Sequence, residues 1–185
     1  MVDPKLLAKV IKEGGKKGVE IEGVADMGGL KFFVTNVETP EGDIDLLVEC
    51  MNAMNAKVEE GAEERKGGSG NVGKMIFSLD ASKLIVLGYV PEALASECSV
   101  LEWLNDVLAQ YGGKIIASNT KVEGGYIAKG YVDADADKGV FPLKIRDQAL
   151  KTAIQYLINK GLFPDDDDES EEEAMGDDFF DTLDV

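Results

Sequence analysis

The sequence predicts an α/β fold of the α+β kind, with a mixed sheet of about four to five strands and helices packed mainly on one face. Apolar residues make up 44% of the 185 residues, which is enough to bury a core. Segments with the β-branched and aromatic composition of strands are interspersed with segments whose apolar residues recur at helical spacing. Because the two kinds do not alternate strictly, their order favours a mixed sheet over a purely parallel one.

The N-terminal segment, residues 1–26, is predicted to be a short helix followed by a flexible basic lead-in. Asp3 can cap a helix over residues 3–13, whose apolar residues recur at helical spacing. Three glycines with two lysines among them predict that this helix ends after residue 13: Gly14, Gly15 and Gly18.

Residues 27–164 are predicted to form a single globular domain. Asp43 and Ser99 are placed to cap helices, and Pro142 suits the first turn of another. A short link at residues 80–82 between two apolar runs predicts a hairpin. The expected elements are a strand at 31–37, a helix at 44–56, a surface loop at 59–73, hairpin strands at 74–79 and 83–90, a helix at 99–111, a strand at 126–132 with a possible partner at 114–117, and a helix at 143–160.

The absence of histidine restricts the chemistry that the chain can perform. It removes Ser-His and Cys-His dyads, and with only Cys50 and Cys98 it removes ordinary structural zinc sites. Both cysteines are expected to be buried, reduced side chains. Carboxylate-only metal sites and chemistry based on Lys or Asp remain open, but no carboxylate pair stands out. We therefore expect no enzyme activity, no cofactor and no metal.

The net charge of −17 is concentrated at the C-terminus. Twelve of the 36 acidic residues lie in residues 165–185, which leaves −5 on residues 1–164, where all 19 lysines and arginines lie. A body so close to balance can carry a basic face. No apolar run approaches the ~20 residues that span a membrane, and the first residues do not form a signal peptide, so a cytoplasmic location is expected.

The acidic segment 165–185 is predicted to be a disordered tail, because it cannot bury enough apolar surface to offset its self-repulsion. It either keeps the protein soluble or docks a partner protein through its apolar end: Phe179, Phe180, Leu183 and Val185. The tail also resembles the ends of ribosomal stalk proteins, and this resemblance implies a partner in the translation machinery.

Residues 68–74 match the spacing G-x-x-x-x-G-K of a phosphate-binding loop. Met75 stands where that motif needs a Ser or Thr to hold magnesium, and a strand rather than a helix is expected to follow. The segment is therefore predicted to be a flexible loop, or a glycine-rich loop that contacts a nucleic-acid backbone, and nucleotide binding is a minor alternative.

Basic residues near the glycine clusters form the predicted nucleic-acid site. Glycines let the main chain approach phosphates closely, and lysines and arginines supply the charge. The candidates are Arg65, Lys66, Lys74, Gly112, Gly113, Lys114, Gly124, Gly125, Lys129, Lys144 and Arg146. Tyr126 and Tyr131 could stack on bases or simply pack across strands.

From about Met27 to Leu157, the sequence resembles the C-terminal globular domain of alanyl-tRNA synthetases, which also occurs in the DHH-associated family. The resemblance lies in the segments 27–33, 89–92, 100–104 and 148–153, together with the glycine-rich connection between the last two. It implies an α/β domain without catalysis that binds the tRNA elbow through its glycine-rich region. The corresponding residues here would be Gly112, Gly113, Lys114, Gly124, Gly125 and Lys129.

Two functional hypotheses follow. The first is a non-catalytic module that binds structured RNA such as tRNA and is linked to translation. The second is a protein-interaction adaptor that uses the acidic, aromatic tail. Clustering of the basic residues on one face would favour the first hypothesis, and scattering would favour the second.

Overall fold

The computed structural model describes residues 3–61 and 63–164. In these residues the chain forms four α-helices and five strands, with short 3₁₀ helices at Glu92–Leu94 and Ala136–Lys138. The helices are α1 (Pro4–Gly28), α2 (Ile44–Asn55), α3 (Val100–Ala109) and α4 (Pro142–Asn159). The strands are β1 (Phe32–Asn36), β2 (Gly73–Leu79), β3 (Lys83–Pro91), β4 (Lys114–Val122) and β5 (Gly125–Asp133).

The five strands form one mixed sheet in the order β1-β2-β3-β5-β4. β1 runs parallel to β2, and the remaining neighbours are antiparallel. β4 is an edge strand whose pairing with β5 shifts register twice, between Ile115 and Ala117 and between Ala117 and Thr120. The predicted α+β class with a mixed sheet of about four to five strands is confirmed.

Two hydrophobic clusters lie on opposite faces of this sheet. Alternate residues of β2 face opposite ways, so Met75 and Phe77 pack with α3 and α4, whereas Ile76 packs with α1 and α2. Trp103 anchors the α3–α4 face: it is fully buried, meets Phe32 edge to face, and donates to the carbonyl of Ala153 at 3.1 Å. The helices therefore cover both faces, two on each, rather than mainly one.

The prediction that glycines end the first helix after residue 13 was wrong. α1 continues to Gly28 and ends on Gly29, which has a φ of 69°. Gly14 and Gly18 lie against α2, where a Cβ at position 18 would stand 2.6 Å from the carbonyl oxygen of Met54. The glycines thus permit close packing of two helices. Because Val10 and Ile21 are fully buried in the core, the segment is a packed helix and not a flexible lead-in.

The other predicted helices and strands are confirmed, but the predicted surface loop at 59–73 is partly buried, since Ser69 and Val72 lie in the interior and Gly73 begins β2. Asp43 caps α2 by accepting from the backbone of Asp45 and Leu46, and Ser99 caps α3 by accepting from Glu102. β4 extends to Val122, which is five residues beyond the predicted end of the partner strand.

Candidate functional site

The outer strands β5 and β4 expose a sheet surface on the side of the fold where α1 and α2 lie. α2 packs on β2 and β3. On β5, Lys129 and Tyr131 are only half-buried, and Lys114 on β4 is exposed. This part of the sheet is therefore open to solvent.

The strand register brings three lysines around Tyr131. Lys114 is directly opposite Tyr131 on β4, and residues paired in this way share a face. Lys129 lies two residues earlier on β5 and so projects to the same side. The ammonium of Lys83, on β3, lies 5.5 Å from the centre of the Tyr131 ring. We call Lys83, Lys114, Lys129 and Tyr131 the lysine face.

The ammonium groups of the lysine face form no close ion pair with the described residues. In residues 3–61 and 63–164, no carboxylate comes within 4.0 Å of the ammonium of Lys83, Lys114 or Lys129. Lys83 nevertheless lies near acids: Asp133 is opposite it in the register, and a side-chain hydrogen bond together with the charge of Lys83 lowers the pKa of Asp80. Lys114 and Lys129 are diagonal neighbours on β4 and β5, so an anionic ligand between them would relieve the repulsion of two like charges.

A cavity of about 800 Å³ adjoins the lysine face. It lies between the end of α2, the glycine-rich loop at 65–71, and the turn that joins β4 to β5. Ile127 of β5 contributes to its wall, and Lys129 follows two residues later on the same face. The cavity and the lysine face therefore form one continuous surface along β5.

Lys74 is not part of this surface. It is fully buried, and its ammonium donates to the carbonyls of Ser69 at 2.6 Å and Val72 at 2.9 Å. It also lies 4.8 Å from the centre of the Tyr89 ring. Burial lowers the pKa of the Lys74 ammonium well below its usual range. The prediction that Lys74 contacts a nucleic acid is thus wrong in this conformation, since its donors serve the fold.

The same contacts argue against a phosphate-binding loop at 68–74. In such a loop, backbone N–H groups and the lysine surround phosphates, and a helix follows. Here the carbonyl oxygens of the loop surround Lys74, and Gly73 opens the strand β2. The loop is held to the end of α2, because Gly68 and Ser69 donate to carbonyls of that helix and its C-cap.

The two basic residues of this loop lie at different places. Arg65 lines the cavity and pairs with Glu22, to which its Nε donates at 3.1 Å. Lys66 is exposed and lies over α1, where a Cβ on Gly15 would stand 3.3 Å from its side chain. Only Arg65 of these two residues lines the cavity, and its guanidinium already pairs with Glu22.

The second glycine cluster is divided by the length of β4. Gly112 and Gly124 are exposed turn residues with φ values of 66° and 88°. Gly113 and Gly125 are required for packing, since a Cβ at Gly113 would stand 2.9 Å from Leu108, and one at Gly125 would clash with the carbonyl of Val90. Close packing and turn geometry thus account for these glycines, and Gly124 also lines the cavity.

Lys144 and Arg146 do not join the lysine face. Both lie in the first turns of α4, which packs on the opposite side of the sheet through Ile145. The guanidinium of Arg146 forms an ion pair with the carboxylate of Asp147, at 3.3 Å from nitrogen to oxygen. Of the predicted nucleic-acid residues, the structure therefore brings Lys114 and Lys129 together on one face, with Arg65 and Gly124 at the adjoining cavity. The basic residues as a whole are scattered over several faces, which by the criterion above favours the adaptor hypothesis, and only this local group favours RNA binding.

Sequence reasoning missed two basic features. Lys83 joins the lysine face only through the register of β3 with β5, and no local sequence pattern indicates that register. Four exposed lysines also lie along the solvent side of α1, at spacings of four, three and four residues: Lys5, Lys9, Lys12 and Lys16. Three of these lysines lie within the predicted helix over residues 3–13, so their spacing was readable, and only Lys16 lies beyond its predicted end.

The remaining predictions concern the C-terminal tail, metal sites, membrane-spanning helices and the two cysteines. The predicted docking residues Phe179, Phe180, Leu183 and Val185 lie outside the described residues. Within 3–61 and 63–164, no group of three or more His, Cys, Asp or Glu side chains could hold a metal ion. No helix in those ranges is both long and apolar enough to cross a membrane. Cys50 and Cys98 are buried free thiols, as expected.

Comparison with known proteins identifies no family. No family model matches the chain, and no curated protein matches it. Among solved structures, three nucleotide-free crystal forms of the catalytic domain of the histidine kinase ThkA are each 16% identical to it. The first covers 69% of this chain and 91% of the kinase domain with a TM-score of 0.26. The other two cover 69% and 68% of this chain and 93% and 91% of theirs, each with a TM-score of 0.23. A likeness this weak carries no argument.

Proposed function

We propose that this chain is a non-catalytic module that binds structured RNA, such as tRNA, through the phosphates that it holds on the lysine face. One observation carries the proposal: three lysines surround Tyr131 on an open part of the sheet, and no described carboxylate pairs with them.

The electrostatics of the face support a phosphate ligand. Each lysine that contacts a phosphate releases a counterion condensed on the RNA, and this release contributes affinity that falls as the salt concentration rises, whatever the sequence of the RNA. The net charge of −5 on residues 1–164 does not oppose this, because binding depends on the local field. Tyr131, half-buried among the lysines, offers a ring against which a base can stack.

The choice of tRNA as the ligand comes from the sequence resemblance to the C-terminal domain of alanyl-tRNA synthetases, although no family model matches the chain. That resemblance pointed to Lys114 and Lys129, and these are the residues that the register places on one face with Lys83. A role in translation and a cytoplasmic location are part of this proposal.

Replacing the three lysines of the face with alanine tests the proposal. We expect the variant Lys83→Ala/Lys114→Ala/Lys129→Ala of the full chain to bind labelled total tRNA at least about tenfold more weakly at low salt, because three phosphate contacts are lost. Fluorescence anisotropy measures the affinity, and circular dichroism confirms that the variant is folded.

A second triple variant with the same change in charge is the control. Lys5→Ala/Lys9→Ala/Lys12→Ala removes three exposed lysines from α1, and we expect its affinity to stay within about twofold of the unaltered chain. An equal loss in both variants would mean that the RNA responds to net charge alone and would overturn the assignment to the lysine face.

A further inference from the structure

We infer that the cavity beside the lysine face binds a single unstacked nucleobase of the RNA whose phosphates lie on that face. This inference rests on the proposed function and adds a second, base-binding site to it. The cavity is bounded by the end of α2, the loop at 65–71 and the turn between β4 and β5.

The cavity is large enough to admit a planar ring and has apolar residues in its lining. About 800 Å³ is within the range of small-molecule sites, which run from roughly 300 to 1,000 Å³. The half-buried Val58 and Val122 present apolar surface to the cavity, and the buried residues Met51 and Ile127 lie at its base. A base can lie against such a surface without any requirement for sequence.

The polar lining suits the edge of a base. Asn55 borders the cavity, but its Oδ1 is buried. Asn52 and Asn71, which are both exposed, contribute two side-chain amides to the lining. Each amide carries both a donor and an acceptor, which matches the mixed donors and acceptors on the edge of a nucleobase.

The cavity and the lysine face differ in the charges that they present to a ligand. Glu22 and Glu123 line the cavity, and Glu22 already pairs with Arg65. Lys57 lines the cavity as well, so two carboxylates and two basic groups balance there, whereas the lysine face has three lysines and no described carboxylate within 4.0 Å of them. The excess of positive charge therefore lies on the lysine face, which is where the phosphates of the RNA are favoured.

The spacing along β5 connects the two sites. Ile127, Lys129 and Tyr131 all lie on the same face of β5, and neighbouring side chains in this row are roughly 7 Å apart. A base against Ile127 therefore places the neighbouring phosphates within reach of Lys129 and of Lys114, which is opposite Tyr131.

Two hairpin RNAs of equal phosphate count test this inference. One carries an ordinary loop, and the other has abasic sites at the loop positions. We expect the full chain to bind the base-bearing loop about tenfold more tightly, which corresponds to one stacked base. Val122→Trp, which fills the cavity from β4, should abolish this preference and leave the affinity for the abasic hairpin unchanged.

Asn52→Trp fills the cavity from the exposed side of α2 and should have the same effect, so that the test does not depend on one variant folding. Val24→Trp, on the exposed side of α1, is the matched control and should retain the preference. Equal binding of the two hairpins by the unaltered chain, or a preference that survives both cavity variants, would overturn the base site while leaving the lysine face intact. Failure to bind either hairpin at low salt would overturn the proposed function as well.

Discussion

Replacing Lys74 with methionine is expected to lower the free energy of unfolding by about 3 kcal/mol, even though methionine fills a similar volume. The ammonium makes two hydrogen bonds to the buried carbonyls of Ser69 and Val72. Hydrogen bonds contribute roughly 0.5–1.5 kcal/mol each, and leaving a buried carbonyl without its partner costs roughly 1–3 kcal/mol. Removing a desolvated charge offsets part of this loss. Urea unfolding of the full chain measures the change.

An exposed lysine provides the control for this substitution. Lys12→Met on α1 should change stability by less than about 0.5 kcal/mol, because surface substitutions away from special contacts rarely do more. A Lys74→Met variant as stable as the Lys12→Met variant would show that the ammonium does not hold the loop.

The dependence of stability on pH gives Lys74 a second signature. Burial lowers the folded-state pKa of Lys74 below its ordinary value of 10.5. Between these two pKa values the unfolded chain binds more protons, so the Lys74 contribution to stability rises with pH. The gap in stability between the unaltered chain and Lys74→Met should therefore widen as pH rises toward 10.5. Cys50, whose pKa burial raises to about 12, has the opposite effect, but it is common to both proteins.

The same glycine-to-alanine substitution at two positions of α1 is expected to have opposite effects. Gly14→Ala should destabilise the protein by about 2 kcal/mol, because its Cβ would clash with the carbonyl oxygen of Cys50 and lie 2.9 Å from the Cβ of Ala53. Gly23→Ala should stabilise the protein by up to about 1 kcal/mol, because nothing lies within 4 Å and alanine favours a helix. Thermal or urea unfolding of both variants measures the difference.

The pair tests whether α1 packs on α2 through its glycines. Destabilisation by both substitutions would mean that the helix has no tolerant position at residue 23. Stabilisation by both would mean that Gly14 does not contact α2.

Local signals in the sequence located most of the elements. Asp43 and Ser99 each accept a hydrogen bond from the first turn of the helix that they cap, and this interaction needs only neighbouring residues. The hairpin between β2 and β3 is similarly local, with Asp80 accepting from the backbone of Ser82 within the turn. Such signals can be read without knowledge of the rest of the fold.

The length of α1 could not be read in this way. Gly14, Gly15 and Gly18 reduce the intrinsic helix propensity, and this cost is met by close packing against α2 and against Gly67 of the later loop. That contact joins residues about 40 positions apart. A single sequence therefore shows the cost of glycine to helix propensity but not the packing against α2 that outweighs this cost.

The candidate site was partly predictable for the same reason. Lys114 and Lys129 were selected for their nearness to glycines, and the register of β4 with β5 brought them to one face. Lys74 was selected on the same ground, but a sequence does not distinguish a lysine that points inward from one that points outward. Lys83 was missed because its place beside Tyr131 depends on the pairing of β3 with β5.

The salt dependence of RNA binding tests the central claim most directly. Binding of labelled tRNA to the full chain, measured between about 50 and 300 mM salt, should give a log–log slope of roughly −2 to −3 if three lysines contact phosphates. The triple alanine variant of Lys83, Lys114 and Lys129 should bring that slope close to zero. No binding at 50 mM salt, or an unchanged slope in the variant, would contradict the account.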